Sequence, residues 1–207
     1  MKKIASFFLA MCLSLLVYAQ EASEIYAEFA KQADIIQNAD PSSSEYEVAQ
    51  QTMLHLFPLL QHHAAFYSQQ NQTSNAMTFA KAYVDMAMMP QFKDMHLERS
   101  EAYPKMTYYL ASKYFNNKAY VHAAVYLQRY IDIQAPQKRA AVYPYLVKSY
   151  EKLGKKNEQK TTLEKGLMEF PSDMNLIYMY INLCLENGWY AEALPYMNKP
   201  CNRNRRT

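Results

Sequence analysis

Residues 140–171 read AAVYPYLVKSYEKLGKKNEQKTTLEKGLMEFP, and this stretch decides the fold. Leu146 and Val147 precede Tyr150 by four and three places, so all three share one side of a first helix. Gly154 follows at the position where that helix must end, because a C-terminal helical turn demands left-handed backbone. Leu163 and Gly166-Leu167 then recur at helical spacing on a second helix. Pro171 closes the unit, since proline cannot continue a helix. The stretch therefore reads as helix, turn, helix.

The same order of residues returns along the chain. Downstream stand Tyr180-Ile181, Cys184, Gly188, Ala193 and Met197, and Tyr150 to Cys184 is 34 residues. Upstream stand Leu110-Ala111, Tyr114, Ala123, Leu127 and Tyr130-Ile131, with 36 residues from Tyr114 to Tyr150. Further back come His63-Ala64, Tyr67, Ala76, Ala80 and Tyr83-Val84, where Tyr67 to Tyr114 spans 47. Small side chains at Ala111 and Ala123 let paired helices approach, and the larger ones fill the gaps beside them.

On these residues the segment 53–200 resembles a divergent tetratricopeptide repeat array, whose unit is 34 residues long. The resemblance implies an all-α fold, a right-handed superhelical solenoid of antiparallel helix pairs with about four hairpins, the last incomplete. Ala140–Pro171 is the best unit and Met174–Met197 the next. Several positions depart from the pattern. Gln159 stands where a small residue is preferred, Asn71 and Lys118 replace the turn glycine, and Leu60, Thr107, Tyr143 and Ile177 replace the family's tryptophan. Another α-solenoid family is the alternative. Pro58, Pro104 and Pro144 are expected near the starts of first helices, where a missing N–H costs little.

The flanks read differently. Residues 20–52 form an N-terminal helical cap segment, in which Glu21–Asn38 is amphipathic with Ile25, Phe29, Ala33 and Ile36 on one face. Asp40-Pro41-Ser42-Ser43-Ser44 reads as a break and a new helix start. The extra length around Gln91–Arg99 is expected as a helical extension or an inserted turn. Residues 201–207 form an irregular basic tail with Arg203, Arg205 and Arg206. No polar-faced cap follows the last unit, as repeat arrays normally require, so the chain is expected to be truncated relative to a longer relative or to diverge at its end.

Composition supports the helical reading. Only 3 Gly accompany 19 Tyr and 13 Met, too few glycines for hairpin-rich sheets or a phosphate-binding loop. Lys2-Lys3, the apolar stretch Ile4–Val17 and Val17-Tyr18-Ala19 read as a signal peptide, residues 1–19, cleaved after Ala19. The apolar stretch is too short to span a bilayer, and no later segment could do so. Losing Lys2 and Lys3 lowers the formal charge from +3 to +1, too near neutral to imply nucleic acid. The expected location is periplasmic or cell-envelope associated.

No catalytic pattern emerges. G-x-S-x-G, P-loop and G-x-G-x-x-G motifs are missing, and Cys184 sits on a helical core face. No H-E-x-x-H occurs; His62 and His63 are adjacent, and His96 and Glu98 are two apart and expected to point away from each other. The chain is thus read as a non-enzyme with no cofactor and no metal site. Its partner is expected to be a protein or peptide held in the solenoid groove. By the resemblance, Gln61, Ser68, Tyr108, Ser112, Lys148, Lys152, Tyr178 and Asn182 would face that groove. Lys148 and Lys152, four apart, resemble a cationic pair for a peptide carboxylate, although the same spacing is common on solvated faces. Two other roles stay open: a docking or regulatory module of a truncated larger exported enzyme, and a glycan-binding accessory protein using Trp189 and Tyr190.

Overall fold

The computed structural model describes residues 21–134 and 136–197. The expected signal peptide (1–19) and the basic tail (201–207) lie outside the described residues. Every regular element among the described residues is helical. In order they are α1 (residues 21–38), α2 (Ser44–Gln69), α3 (Thr73–Ala87), two 3-10 turns (Pro90–Met95 and Leu97–Arg99), α4 (Ala102–Asn116), α5 (Tyr120–Ile133), α6 (Pro136–Arg139), α7 (Tyr143–Lys152), α8 (Lys156–Glu169), α9 (Met174–Glu186) and α10 (Tyr190–Met197). The chain divides into two compact units between Met106 and Thr107.

One turn recurs four times and builds the hairpins. Asn71, Lys118, Gly154 and Gly188 all take left-handed backbone, with φ of 58°, 60°, 68° and 73°. In each case the next residue donates its N–H back to the helix that has just ended. Gln72 bonds Tyr67 O at 2.9 Å, Ala119 bonds Tyr114 O at 2.9 Å, Lys155 bonds Tyr150 O at 2.9 Å, and Trp189 bonds Cys184 O at 2.8 Å. The left-handed residues themselves bond Ser68 O, Phe115 O, Glu151 O and Leu185 O. This paired pattern is the Schellman motif, and it satisfies carbonyls that a helix end otherwise leaves bare. The acceptors are the residues that mark the repeat in the sequence. Asn71 and Lys118 adopt the backbone of the glycines they replace.

Because so few residues join them, the two helices of each hairpin run antiparallel. In the first unit α2 packs on α3. In the second, α7 pairs with α8 and α9 with α10, while α7 also packs on α5 and α9 on α8. Ring contacts join α4 to α5: Tyr114 stacks on Tyr126 with centroids 5.6 Å apart, and Tyr108 meets Tyr130 at 5.2 Å. The small residues Ala76, Ala123 and Ala193 are fully buried, and Gln159 fills the same position almost as completely. Leu60, Thr107, Tyr143 and Ile177, which replace the tryptophan, are all buried too. Beside Tyr143 lies Gly166, where an added Cβ would come within 3.2 Å of the Tyr143 ring and 3.0 Å of Leu176 Cδ1. A large ring on α7 is thus accommodated by the missing side chain on α8.

Helix starts follow the expected chemistry. Ser43 caps α2 by accepting from the Tyr46 N–H at 3.1 Å, and Asp40 accepts from the Ser42 N–H at 2.9 Å in the break before it. Asp173 caps α9 by accepting from Asn175 N at 2.9 Å and Leu176 N at 3.2 Å. In α1, Ile25, Phe29 and Ile36 are buried as expected, while Ala33 is half-buried and Gln32 is buried beside it.

Three sequence expectations need correcting. Pro58 lies inside α2 rather than near its start, because the Ser43 cap begins the helix well upstream of the repeat. The one backbone donor it lacks is the cost of that continuity. For the same reason α2 runs unbroken through residues 52 and 53. His96 and Glu98 do not point apart. His96 takes a left-handed φ of 51° between the two 3-10 turns, which brings its Nδ1 to 3.3 Å from Glu98 Oε1. That inserted segment is pinned by Phe92, which is fully buried, and by Gln50 Nε2 donating to Gln91 O at 3.1 Å.

His63 is buried at 1% exposure, with its ring 5.2 Å from Phe79 and 6.3 Å from Tyr67. Burial, then the neighbouring His62, hold its pKa below the ordinary value, and Glu21 opposes them more weakly. Protonation is therefore less favourable in the folded chain than in the unfolded one. Below the ordinary histidine pKa of about 6.5 the unfolded state binds more protons, so stability falls as pH drops through that value. Urea unfolding at neutral and mildly acidic pH will show this decline, and His63→Gln will flatten it. A second expectation concerns the turns. Lys118→Gly will stabilise the chain and Gly154→Ala will destabilise it, each by about 0.5–1 kcal/mol in urea unfolding. At Gly154 nothing lies within 4 Å of an added Cβ, so the backbone conformation alone sets that change.

Candidate functional site

The first helices of the hairpins present the residues expected to face a groove. On α2, Gln61 and Ser68 are exposed seven places apart. In the second unit the corresponding residues come from three helices. On α4, Tyr108 is 43% exposed and Ser112 is half-buried; on α9, Tyr178 is 54% exposed and Asn182 is exposed. On α7, Lys148 is half-buried and Lys152 exposed.

Tyr108 and Ser112 are brought together in a depression of about 210 Å³, completed by Phe115, Asn116, Leu127 and Tyr145. Phe115 and Tyr145 meet edge to face at 5.2 Å and an interplanar angle of 89°. Tyr130, against Tyr108, has its pKa raised by burial and then by its neighbour, so it stays a neutral donor at physiological pH. The result is an aromatic floor with an amide at Asn116 and a hydroxyl at Ser112 on its walls. A volume of this size suits one apolar side chain with polar backbone beside it.

Phe115, Asn116 and Tyr145 are functional candidates that the sequence reading missed. Phe115 and Asn116 follow Ser112 by three and four places, and Tyr145 precedes Lys148 by three, so helical spacing could have found them. Glu151 was also missed, and it changes the lysine pair. Lys148 Nζ lies 2.9 Å from Glu151 Oε1 and Lys152 Nζ 3.7 Å from the same atom. The expected cationic pair is a triad carrying one net positive charge. Tyr178 and Asn182 stand outside the depression, farther along the same run of first helices.

Elsewhere the chemistry is structural. Cys184 is fully buried, and burial pushes its thiol pKa up. Lys160 is held 2.6 Å from Glu192, which also accepts from the Tyr180 hydroxyl at 3.1 Å, tying α8, α9 and α10 together. The Lys160 ammonium sits 4.7 Å from the Trp189 ring centroid, so one face of that indole is already covered. Tyr190 is 64% exposed. At the other end of the second unit's first hairpins, Arg139 donates to both Glu169 oxygens at 3.1 and 3.2 Å, and Tyr143 donates to Glu169 at 2.9 Å. In the first unit an open cleft of about 250 Å³ is lined by Ser23, Tyr26, Tyr67, Asn75, Thr78 and Phe79. Among the described residues no three His, Cys, Asp or Glu side chains gather as metal ligands would. No described helix is long and apolar enough to cross a membrane.

No protein-family model matches the sequence, and no curated protein matches it. Among solved structures, the chain is similar to a putative kinesin light chain from Podosopora anserina with nearly identical TPR-like repeats. The two share 14% identity over 85% of this chain and 92% of that one, with a TM-score of 0.47.

Proposed function

We propose that this chain is an exported scaffold that holds a protein partner along the first-helix face of its second unit. The observation that carries the reading is the depression between Tyr108, Phe115 and Tyr145. Tyr108 and Tyr145 remain 43% and 46% exposed although both belong to a ring cluster. Side chains of this kind give large contact area at small entropy cost, with a polar tip for hydrogen bonding. Asn116 and Ser112 supply groups that could bond a peptide backbone. From Tyr145 the same side of α7 runs on to Lys148 and Lys152, whose single net charge favours an acidic neighbour on the partner.

Export is supported by the sequence of residues 1–19, with its two lysines and the apolar stretch that follows them. A secreted preparation is expected to begin at Gln20 by intact mass, and a chain beginning at Met1 would contradict export.

Binding is tested by affinity capture from envelope extract with wild type, Tyr108→Ala/Tyr145→Ala and Lys148→Glu/Lys152→Glu. Truncating central aromatic anchors typically costs about 2 kcal/mol or more, roughly thirtyfold in affinity. The tyrosine variant is expected to lose the partner and the lysine variant to recover less of it at raised salt. Equal recovery by all three proteins would exclude this face.

A further inference from the structure

The four left-handed turns place the repeats in register, and in that register one helix stands apart. Nine residues after each turn come Ala80, Leu127, Leu163 and Met197. The first three are 0%, 2% and 0% exposed, whereas Met197 is 53% exposed. The helices that follow in sequence account for the difference in the second unit. Helix α7 packs over α5, and α9 packs over α8. The outer face of α10 is thus built like two faces that each receive an apolar helix.

The neighbouring positions strengthen the comparison. Tyr190, Leu194 and Met197 are 64%, 57% and 53% exposed and recur at four and three residues, which sets them in one stripe. Their counterparts on α8 are Lys156, Lys160 and Leu163. Where α8 needs only one apolar residue to receive α9, α10 carries three. The only charged residue of α10, Glu192, is turned away to Lys160 and Tyr180. The stripe itself has no charge.

We infer that α10 is the contact of a homodimer, in which each copy's α10 takes on the other the place that α7 and α9 take within the chain. A second copy fits because a twofold axis sets the same uncharged stripe against itself with no like charges opposed. Met197 of one copy then packs against Leu194 and Tyr190 of the other, antiparallel, and all three leave water. Two short helices make a contact at the low end of specific interface sizes, so association is expected in the micromolar range.

Sedimentation velocity on the purified protein tests this, over concentrations from about 1 to about 500 µM. A monomer-to-dimer shift is expected, together with a concentration-dependent change of the Met197 methyl resonance. Met197→Glu and Leu194→Glu should each leave the helical circular dichroism unchanged and weaken the dimer at least tenfold. A monomer at every concentration would overturn the inference. So would a dimer that both variants leave intact, a dimer that forms without moving the Met197 methyl, or open-ended assembly beyond two copies. If a variant fails to fold, the methyl shift of the wild-type protein decides alone.

Discussion

The left-handed turn and its backward hydrogen bond constrain everything else in this molecule. A helix that must reverse within three residues leaves several carbonyls bare, and one left-handed residue lets two of them be satisfied at once. In all four hairpins the carbonyl answered by the residue after the turn belongs to Tyr67, Tyr114, Tyr150 or Cys184. That bond fixes where the second helix begins, and so which residues meet the first helix. The buried small residue five places on, Ala76, Ala123 or Ala193, sits where it does because the turn has one geometry.

Much of this was legible in the sequence because the physics is local. A left-handed turn favours glycine, and Gly154 and Gly188 announce it; the aromatic or cysteine four places earlier marks the end of a helical face. Asn71 and Lys118 show the limit of that signal. Asparagine tolerates left-handed backbone, but lysine has no such reputation, and only the register of Tyr114 and Ala123 around it marks the turn. Pro58 was misplaced because a proline is a boundary signal only if nothing holds the helix together on both sides. Ser43 caps α2 upstream and the α3 interface holds it downstream. His96 and Glu98 were misread for a related reason, since the rule that residues two apart diverge applies to regular elements and not to a left-handed link between 3-10 turns.

The candidate site was legible in outline and not in detail. Tyr108 and Ser112 could be assigned to the groove from repeat position alone. Tyr145 and Phe115 could not be separated from the core, because the sequence holds 19 tyrosines and burial distinguishes them only in three dimensions. The lysine pair failed in another way. Glu151 lies between Lys148 and Lys152 in sequence, yet its capacity to bridge both depends on rotamers that spacing does not determine. Polar networks carry the second unit's remaining specificity, with Glu169 joining α6, α7 and α8, and Glu192 joining α8, α9 and α10. Each engages a tyrosine hydroxyl on a first helix, so hairpins are held together by hydrogen bonds where their apolar contacts thin out.

The central claim is that one turn geometry, adopted by four chemically different residues, sets the repeat. Backbone φ at Asn71 and Lys118, measured in solution from three-bond HN–Hα couplings together with intraresidue HN–Hα distances, tests it most directly. Positive φ at both, matching Gly154 and Gly188, is the predicted result. Negative φ at either residue would contradict the account, because the bond from Gln72 to Tyr67 or from Ala119 to Tyr114 could not then form.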